Sequence, residues 1–277
     1  MTRWLVTGAG GMLGRDLLEV LDGEPVRGLS RAELDVTDPA AVAAAVREVD
    51  VVVNAAAWTD VDGAESAEEA ATLLNGQGPR HLATACRDAG ARLVHLSTDY
   101  VFDGARTTPY PEDTPTAPRS AYGRSKAVGE RAVREVLPEA SYLVRTAWLF
   151  GQHGGNFVTT MLRLERDRET LDVVDDQRGQ PTWSLDLARQ VAALVRVDAP
   201  AGIYHGTSSG DTTWCGLARA VFEELGADPR RVRSATTDQF PRPAPRPAYS
   251  VLGHRAWRQA GLAPIRDWRE ALAQALP

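Results

Sequence analysis

The chain has 277 residues, 43% of them hydrophobic and 25% charged, with a formal net charge of -6. This is ordinary globular composition with enough apolar mass for a large core. It carries no basic leader with an apolar run, no stretch near the roughly 18 apolar residues of a spanning helix, and no excess of cations to form a nucleic-acid surface. Two cysteines, Cys86 and Cys215, are too few for a disulfide framework or a four-ligand zinc site, so a reducing cytoplasm is expected.

Short β-branched runs alternate with longer helical patterns. The chain reads as strand over 3–7, helix over 12–21, strand over 25–29 and helix over 40–49. A strand at 51–53, a long helix over 66–89 and a strand over 92–97 follow. The strands are apolar throughout rather than alternating, the mark of a parallel sheet covered on both faces. Right-handed crossovers then give an α/β, doubly wound Rossmann-type fold. Residues 102–118 are too rich in proline for regular structure. Beyond them the pattern predicts helix over 120–136, strand over 142–147, helix over 156–166, strand over 171–174 and helix over 184–197. Strand over 202–205, helix over 213–225, a second proline-rich stretch and a helix near Trp268 complete the chain. The expected organisation is a dinucleotide-binding domain over 1–150, to which 184–205 returns, and a smaller, partly discontinuous substrate domain over 151–277.

Of the 31 basic side chains 30 are Arg and one is Lys, Lys126, while Asn occurs only at 54, 75 and 156. Such a bias suits a GC-rich genome, so a surviving residue spelled by AT-rich codons gains weight where a motif also lands on it.

Gly8, Gly11 and Gly14 sit in Thr7-Gly8-Ala9-Gly10-Gly11-Met12-Leu13-Gly14, between the first strand and the first helix. Glycines there permit a tight turn and close approach of a pyrophosphate, and the helix amino terminus offers N–H groups to it. Gly8, Gly10, Gly11, Met12, Leu13 and Gly14 are therefore cofactor candidates. At the end of the second strand, where an acid would bind the ribose 2′-hydroxyl of NAD, the chain has Ser30-Arg31, and no acid lies between Pro25 and Ala32. This favours NADPH, with NADH also accepted.

Tyr122 and Lys126 lie four residues apart, on one face of a helix. A cation beside a phenol favours the phenolate and should lower its pKa, which suits the pair to protonating a carbonyl oxygen as a hydride arrives. Lys126 is the only lysine, and Arg would be a bulkier, differently forked substitute.

The GxxGxxG spacing resembles the short-chain dehydrogenase/reductase superfamily, in its extended branch. That resemblance implies a hydroxyl beside Tyr122, with Thr98 the candidate and Ser97 the fallback, and an adenine contact at Asp35-Val36. It also puts Asn75 in the helix beneath the cofactor. More specific motifs follow. Asn54-Ala55-Ala56-Ala57-Trp58-Thr59-Asp60-Val61-Asp62-Gly63-Ala64-Glu65, the run STDYVFDG at 97–104, Arg145-Thr146-Ala147-Trp148, Asp176-Gln177-Arg178-Gly179-Gln180-Pro181-Thr182 and Arg246-Pro247 with Ser250 resemble the dTDP-4-dehydrorhamnose reductase family over nearly the whole chain.

The resemblance implies reduction of the 4-keto group of a dTDP-6-deoxy-4-keto-hexose. Tyr122 would protonate the oxygen, Lys126 would hold the nicotinamide ribose and Thr98 would bind the same oxygen. Ala55, Ala56 and Ala57 would line the cofactor; Thr98, Asp99 and Trp148 would contact the sugar; Asn156 and Arg246 would contact the nucleotide or pyrophosphate. A homodimer is admitted by the same resemblance, but no acidic cluster is read here for a bridging metal. Two departures bear on the sugar: Ser250-Val251-Leu252 runs into Gly253-His254, and 206–210 is a loop in which specificity could drift. Competing readings are a 4-ketoreductase of an antibiotic deoxysugar pathway, an epimerase, and a non-catalytic nucleotide-binding subunit resembling the β-subunit of methionine adenosyltransferase. A 4,6-dehydratase would carry Glu where Tyr100 stands.

Overall fold

The computed structural model describes residues 1–276. In chain order the elements are β1 (Trp4–Thr7), α1 (Met12–Val20), β2 (Val26–Leu29), α2 (Pro39–Val46), β3 (Val51–Asn54), α3 (Val61–Ala64), α4 (Glu68–Thr72), α5 (Gly78–Ala89) and β4 (Arg92–Thr98). Then come α6 (Ala121–Val136), β5 (Ser141–Thr146), β6 (Leu149–Phe150), α7 (Phe157–Asp167), β7 (Leu171–Val174), β8 (Arg178–Gly179), β9 (Thr182–Trp183), α8 (Ser184–Arg196) and β10 (Gly202–His205). The remainder is β11 (Ser208–Ser209), β12 (Thr212–Thr213), α9 (Trp214–Glu224), β13 (Val232–Ala235), α10 (Arg255–Gln259), β14 (Ile265–Asp267) and α11 (Trp268–Ala275).

Six strands form one parallel sheet in the order β10-β5-β4-β3-β1-β2. Side chains alternate between its faces, and both faces are buried. Trp4, Val6, Val51 and Val53 point into one apolar cluster with Leu13 and Leu17 of α1 and Leu187 and Val191 of α8. Leu5, Val52 and Leu93 point into the other, with Val42, Leu82, Cys86 and Val133 from α2, α5 and α6. A third cluster joins α7, α9 and α11 to β7 and β13. No helix of the described residues is long and apolar enough to cross a membrane.

Three departures from the sequence reading have physical causes. The helix expected to run to 49 stops at Val46, and Glu48 adopts a left-handed backbone, φ 58°. The long helix over 66–89 is broken by a π turn, Leu73–Gln77, between α4 and α5. Gly129 of α6 faces that turn so closely that a Cβ there would strike the Asn75 carbonyl oxygen. Finally, β13 has only two apolar residues and escapes notice in sequence, yet it pairs in parallel with β7 through all four residues.

Candidate active site

The glycine turn joins β1 to α1 at the carboxyl edge of the sheet, where parallel α/β folds bind ligands. Gly8 has φ +69°, and a Cβ there would lie 2.6–2.8 Å from the backbone of Ala55 and Ala56. Gly14 packs against the Gly8 carbonyl, and Gly10 stands in open space beside Ser30. Gly11 caps α1 with no side-chain hydrogen bond, so no side chain occupies the helix's first N–H groups. A pyrophosphate therefore fits on Gly10, Gly11 and Met12. The Leu13 side chain belongs to the core. Ala55, Ala56 and Ala57 follow β3 directly and are half-buried, and the Ala55 N–H donates to the Thr7 carbonyl at 3.2 Å. Asp35 accepts from the Thr37 N–H and hydroxyl at 2.9 and 2.7 Å and remains exposed. Val36 turns its side chain into the core beside Gly78, leaving only its backbone for an adenine.

α6 carries Tyr122, Lys126 and Glu130 at successive i+4 positions, on one face. Ser120 caps the helix by accepting from the Gly123 N–H at 3.1 Å, and the Ala121 N–H donates to Glu65 at 2.8 Å. Gly123 lets the helix press on the Tyr100 carbonyl, where any Cβ would collide. This close packing brings Tyr122 to the end of β4. There the Thr98 hydroxyl donates to Asp99 Oδ1 at 3.0 Å and accepts from the Tyr100 N–H at 3.2 Å, and it lies near enough to the Tyr122 phenol to pull its pKa down. Ser97, the fallback, is excluded from this role, because its hydroxyl donates to Glu130 at 2.6 Å inside the core. Lys126 Nζ donates to the Leu96 carbonyl at 2.7 Å, which fixes the ammonium against β4 two residues before Thr98.

The electrostatics correct one expectation. Tyr122 is not a depressed phenol: burial pushes its pKa up to about 12, with the neighbouring Thr98 hydroxyl opposing and the Asp99 charge adding. Lys126 is not among the groups acting on it. Burial instead draws Lys126 down to about 8, against the pull of Glu130. The phenol is thus firmly protonated near neutrality, the state a proton donor needs. Burial also raises Asp99 to about 6, opposed by the Ser250 and Thr98 hydroxyls.

The candidate sugar and nucleotide contacts divide. Asp99 lies beside Thr98 and Tyr122, and the Tyr100 ring packs edge-on against that of Tyr122 with centroids 5.6 Å apart. Arg246 and Tyr100 line a cavity of about 320 Å³ with Phe102, Arg119 and Pro247. Part of Arg246 is already used, since Nη2 donates to Asp62 at 2.8 Å. Trp148 has φ +47° and stacks on Trp214. Asn156 departs furthest from its expected role. Its Oδ1 caps α7 by accepting from the Thr159 N–H at 3.0 Å and its Nδ2 donates to the Gly151 carbonyl at 2.9 Å, so both ends of the amide are already engaged.

Other residues gain meaning only in three dimensions. Asn75, turned inward by the π turn, holds both backbone groups of Trp58 at 2.8 and 3.1 Å and donates to Ser125 at 3.0 Å. Trp214 reads in sequence as the start of a core helix; its Nε1 donates to Gln177 at 3.1 Å, and its face covers Trp148. Asp16, Glu19 and His153 bring possible ligand atoms within 4.8 Å of one another, a cluster that spans distant residues and is not legible as a motif.

The fold and this constellation define an oxidoreductase of the extended short-chain dehydrogenase/reductase class. More narrowly, the chain belongs to the family described as the RmlD substrate binding domain, whose model matches residues 2–277. It is 58% identical over 283 residues to a dTDP-4-dehydrorhamnose reductase of Streptomyces griseus, covering 99% of this chain and 93% of that one. It is 57% identical over 279 residues to a dTDP-4-keto-6-deoxy-D-glucose reductase of Streptomyces niveus, covering 99% and 96%. Among solved structures, the dTDP-4-dehydrorhamnose reductase of Bacillus anthracis in complex with NADP superposes with a TM-score of 0.95 at 36% identity, over 99% of both chains.

Proposed function

We propose that this protein is an NADPH-dependent 4-ketoreductase that converts dTDP-4-dehydro-L-rhamnose to dTDP-L-rhamnose. The observation that carries the chemistry is the convergence of Thr98, Tyr122 and Lys126 at the end of β4, one strand over from the alanines that touch the glycine turn. Relatives named as reductases of two dTDP-bound 4-keto-6-deoxyhexoses support the substrate class.

When bound, the reduced nicotinamide would supply a hydride to the C4 carbonyl carbon. Gly8, Gly10, Gly11 and Met12 would hold its phosphates, Ala55 to Ala57 its flank, and Lys126 its nicotinamide ribose. Tyr122 donates its proton to the C4 oxygen, and Thr98 steadies that oxygen with its hydroxyl. The resulting phenolate is reprotonated from solvent. Asp99, Trp148 and Arg246 contact the sugar nucleotide, with residues 1–150 binding the dinucleotide and the carboxy-terminal part the substrate. Two buried, unpaired cysteines agree with a cytoplasmic setting.

The test is loss of the near-ultraviolet absorbance of NADPH with dTDP-4-dehydrorhamnose generated in place. Wild type should oxidise NADPH, and Tyr122→Phe should be slower by about 10²–10⁴ while still binding the cofactor. Equal rates for the two proteins would overturn the assignment of the acid. A 4-ketoreductase of another deoxysugar is the second reading, favoured by the nearly equal similarity to the Streptomyces niveus relative. Faster turnover of dTDP-4-keto-6-deoxy-D-glucose in the same assay would select it. Dehydration is disfavoured, since a phenol packed on Tyr122 fills the position at which a dehydratase would need an acid.

A further inference from the structure

Ser30 follows the last residue of β2, the point at which this type of sheet reads the adenosine ribose. It also stands beside the glycine turn, since a Cβ placed on Gly10 would be 3.8 Å from the Ser30 Cβ. An anion already takes both donors of Ser30. Its backbone N–H donates to Glu33 Oε2 at 2.8 Å, and its hydroxyl donates to the same oxygen at 2.6 Å. Glu33 is exposed, and among the described residues Ser30 supplies all of its hydrogen bonds. Arg31, next in the chain, is exposed and reaches Asp35 only through its charge. In sequence the strand's end carries no acid; in three dimensions an acid from three residues further on folds back over it.

We propose that Glu33 sets the balance between NADPH and NADH, occupying through Ser30 the place that the 2′-phosphate of NADPH would take. The inference rests on the cofactor reading above. A carboxylate and a phosphate compete for the same two donors, and two anions cannot share them without repulsion. To bind NADPH the loop releases Glu33 from Ser30 and leaves the phosphate to Ser30 and Arg31. To bind NADH nothing needs to move, because the free oxygen of Glu33 can accept the ribose 2′-hydroxyl. The chain can therefore use either dinucleotide, with Glu33 working against the phosphorylated one. An Ser-x-x-Glu pair can also be a simple turn cap, and the experiment separates the two.

Isothermal titration of NADP⁺ and NAD⁺ into wild type and Glu33→Gln gives the dissociation constants without turnover. Gln keeps an oxygen acceptor for Ser30 and removes the charge. NADP⁺ should bind about fivefold more tightly to the variant and NAD⁺ about threefold more weakly, a change in ratio of about tenfold or more, equivalent to about 1.4 kcal/mol. If both constants move by the same factor, or the ratio stays within about twofold of wild type, Glu33 is only a cap and the proposal falls. A Ser30→Ala variant should lose NADP⁺ affinity; unchanged affinity there would also overturn it. If wild type binds neither dinucleotide, the cofactor reading itself fails and takes this inference with it.

Discussion

The indole of Trp148 lies flat on that of Trp214, with ring centroids 3.6 Å apart and planes inclined by 9°. Trp148 reaches that position from a left-handed backbone, φ 47°, which a bulky residue adopts at a cost of about 1–3 kcal/mol. Gly179 makes room, since any Cβ there would lie 2.6–2.8 Å from the Trp148 ring. The glycine of the Asp-Gln-Arg-Gly motif thus serves the indole across the site.

The strain and the stack can be separated. Trp148→Ala keeps the left-handed backbone and loses the ring; Trp148→Gly loses the ring and relieves the backbone. Trp148→Gly should therefore be the more stable of the two by about 1 kcal/mol, measured by urea denaturation. If the ring serves the sugar, both variants should raise KM for the sugar nucleotide alike. A glycine variant no more stable than the alanine one would show that the backbone here is unstrained.

Asp99 gives a pH test. Its folded pKa of about 6 lies above the ordinary carboxylate value of 3.8, because burial penalises its charge. A group raised in this way binds more protons folded than unfolded, so its contribution is fully present below pH 3.8 and is lost as pH rises through 6. Asp99→Asn removes the buried charge. Relative to wild type, the variant should gain up to about 3 kcal/mol on going from pH 3.5 to pH 7.5. Thermal melts at the two pH values would read this gain, and a difference in stability that does not change with pH would refute it.

How much of this was visible in the sequence depended on the range of each interaction. The apolar strands β1, β3, β4 and β5 declare themselves because burial on both faces gives each a consecutive run of Val, Leu or other large apolar residues. The two-residue strands β6, β8, β9, β11 and β12 have no period to read. The Tyr122–Lys126 spacing was legible, since a helix fixes it, but the state of the phenol was not: spacing suggests a cation's influence, while burial of the hydroxyl decides the outcome. Asn156 is a candidate contact only through the family resemblance, and in the fold its amide caps α7 at one end and ties down the Gly151 carbonyl at the other. Glu33 lay outside any motif, and only the fold-back on Ser30 gives it a role.

Asn75 should prove essential for the loop that carries Ala55 to Trp58. It satisfies both backbone groups of the half-buried Trp58 from within the π turn, at 2.8 and 3.1 Å. Asn75→Ala leaves an N–H and a carbonyl without partners, at a cost of about 2–4 kcal/mol. Because Ala55 and Ala56 touch the glycine turn, NADP⁺ affinity should fall with it even at temperatures where the variant remains folded. Titration calorimetry well below Tm checks this, and wild-type affinity would show that the loop is held by other contacts.

Glu130 links the core to the site. Its carboxylate grips Arg145 with two hydrogen bonds, at 2.9 and 2.7 Å, and accepts from Ser97 at 2.6 Å, all out of solvent. Removing one partner of a buried ion pair leaves the other uncompensated, at about 3–5 kcal/mol. Glu130→Gln should therefore lower stability by about that amount, and adding Arg145→Met should restore part of it. The same carboxylate holds up the pKa of Lys126, which settles at about 8 because burial outweighs that pull. Without Glu130 the ammonium should lose its proton at lower pH, moving the alkaline limb of kcat below its wild-type position. A purely structural pair would lower stability and leave that limb where it is, so the pH–rate profile of the folded fraction decides between the two roles.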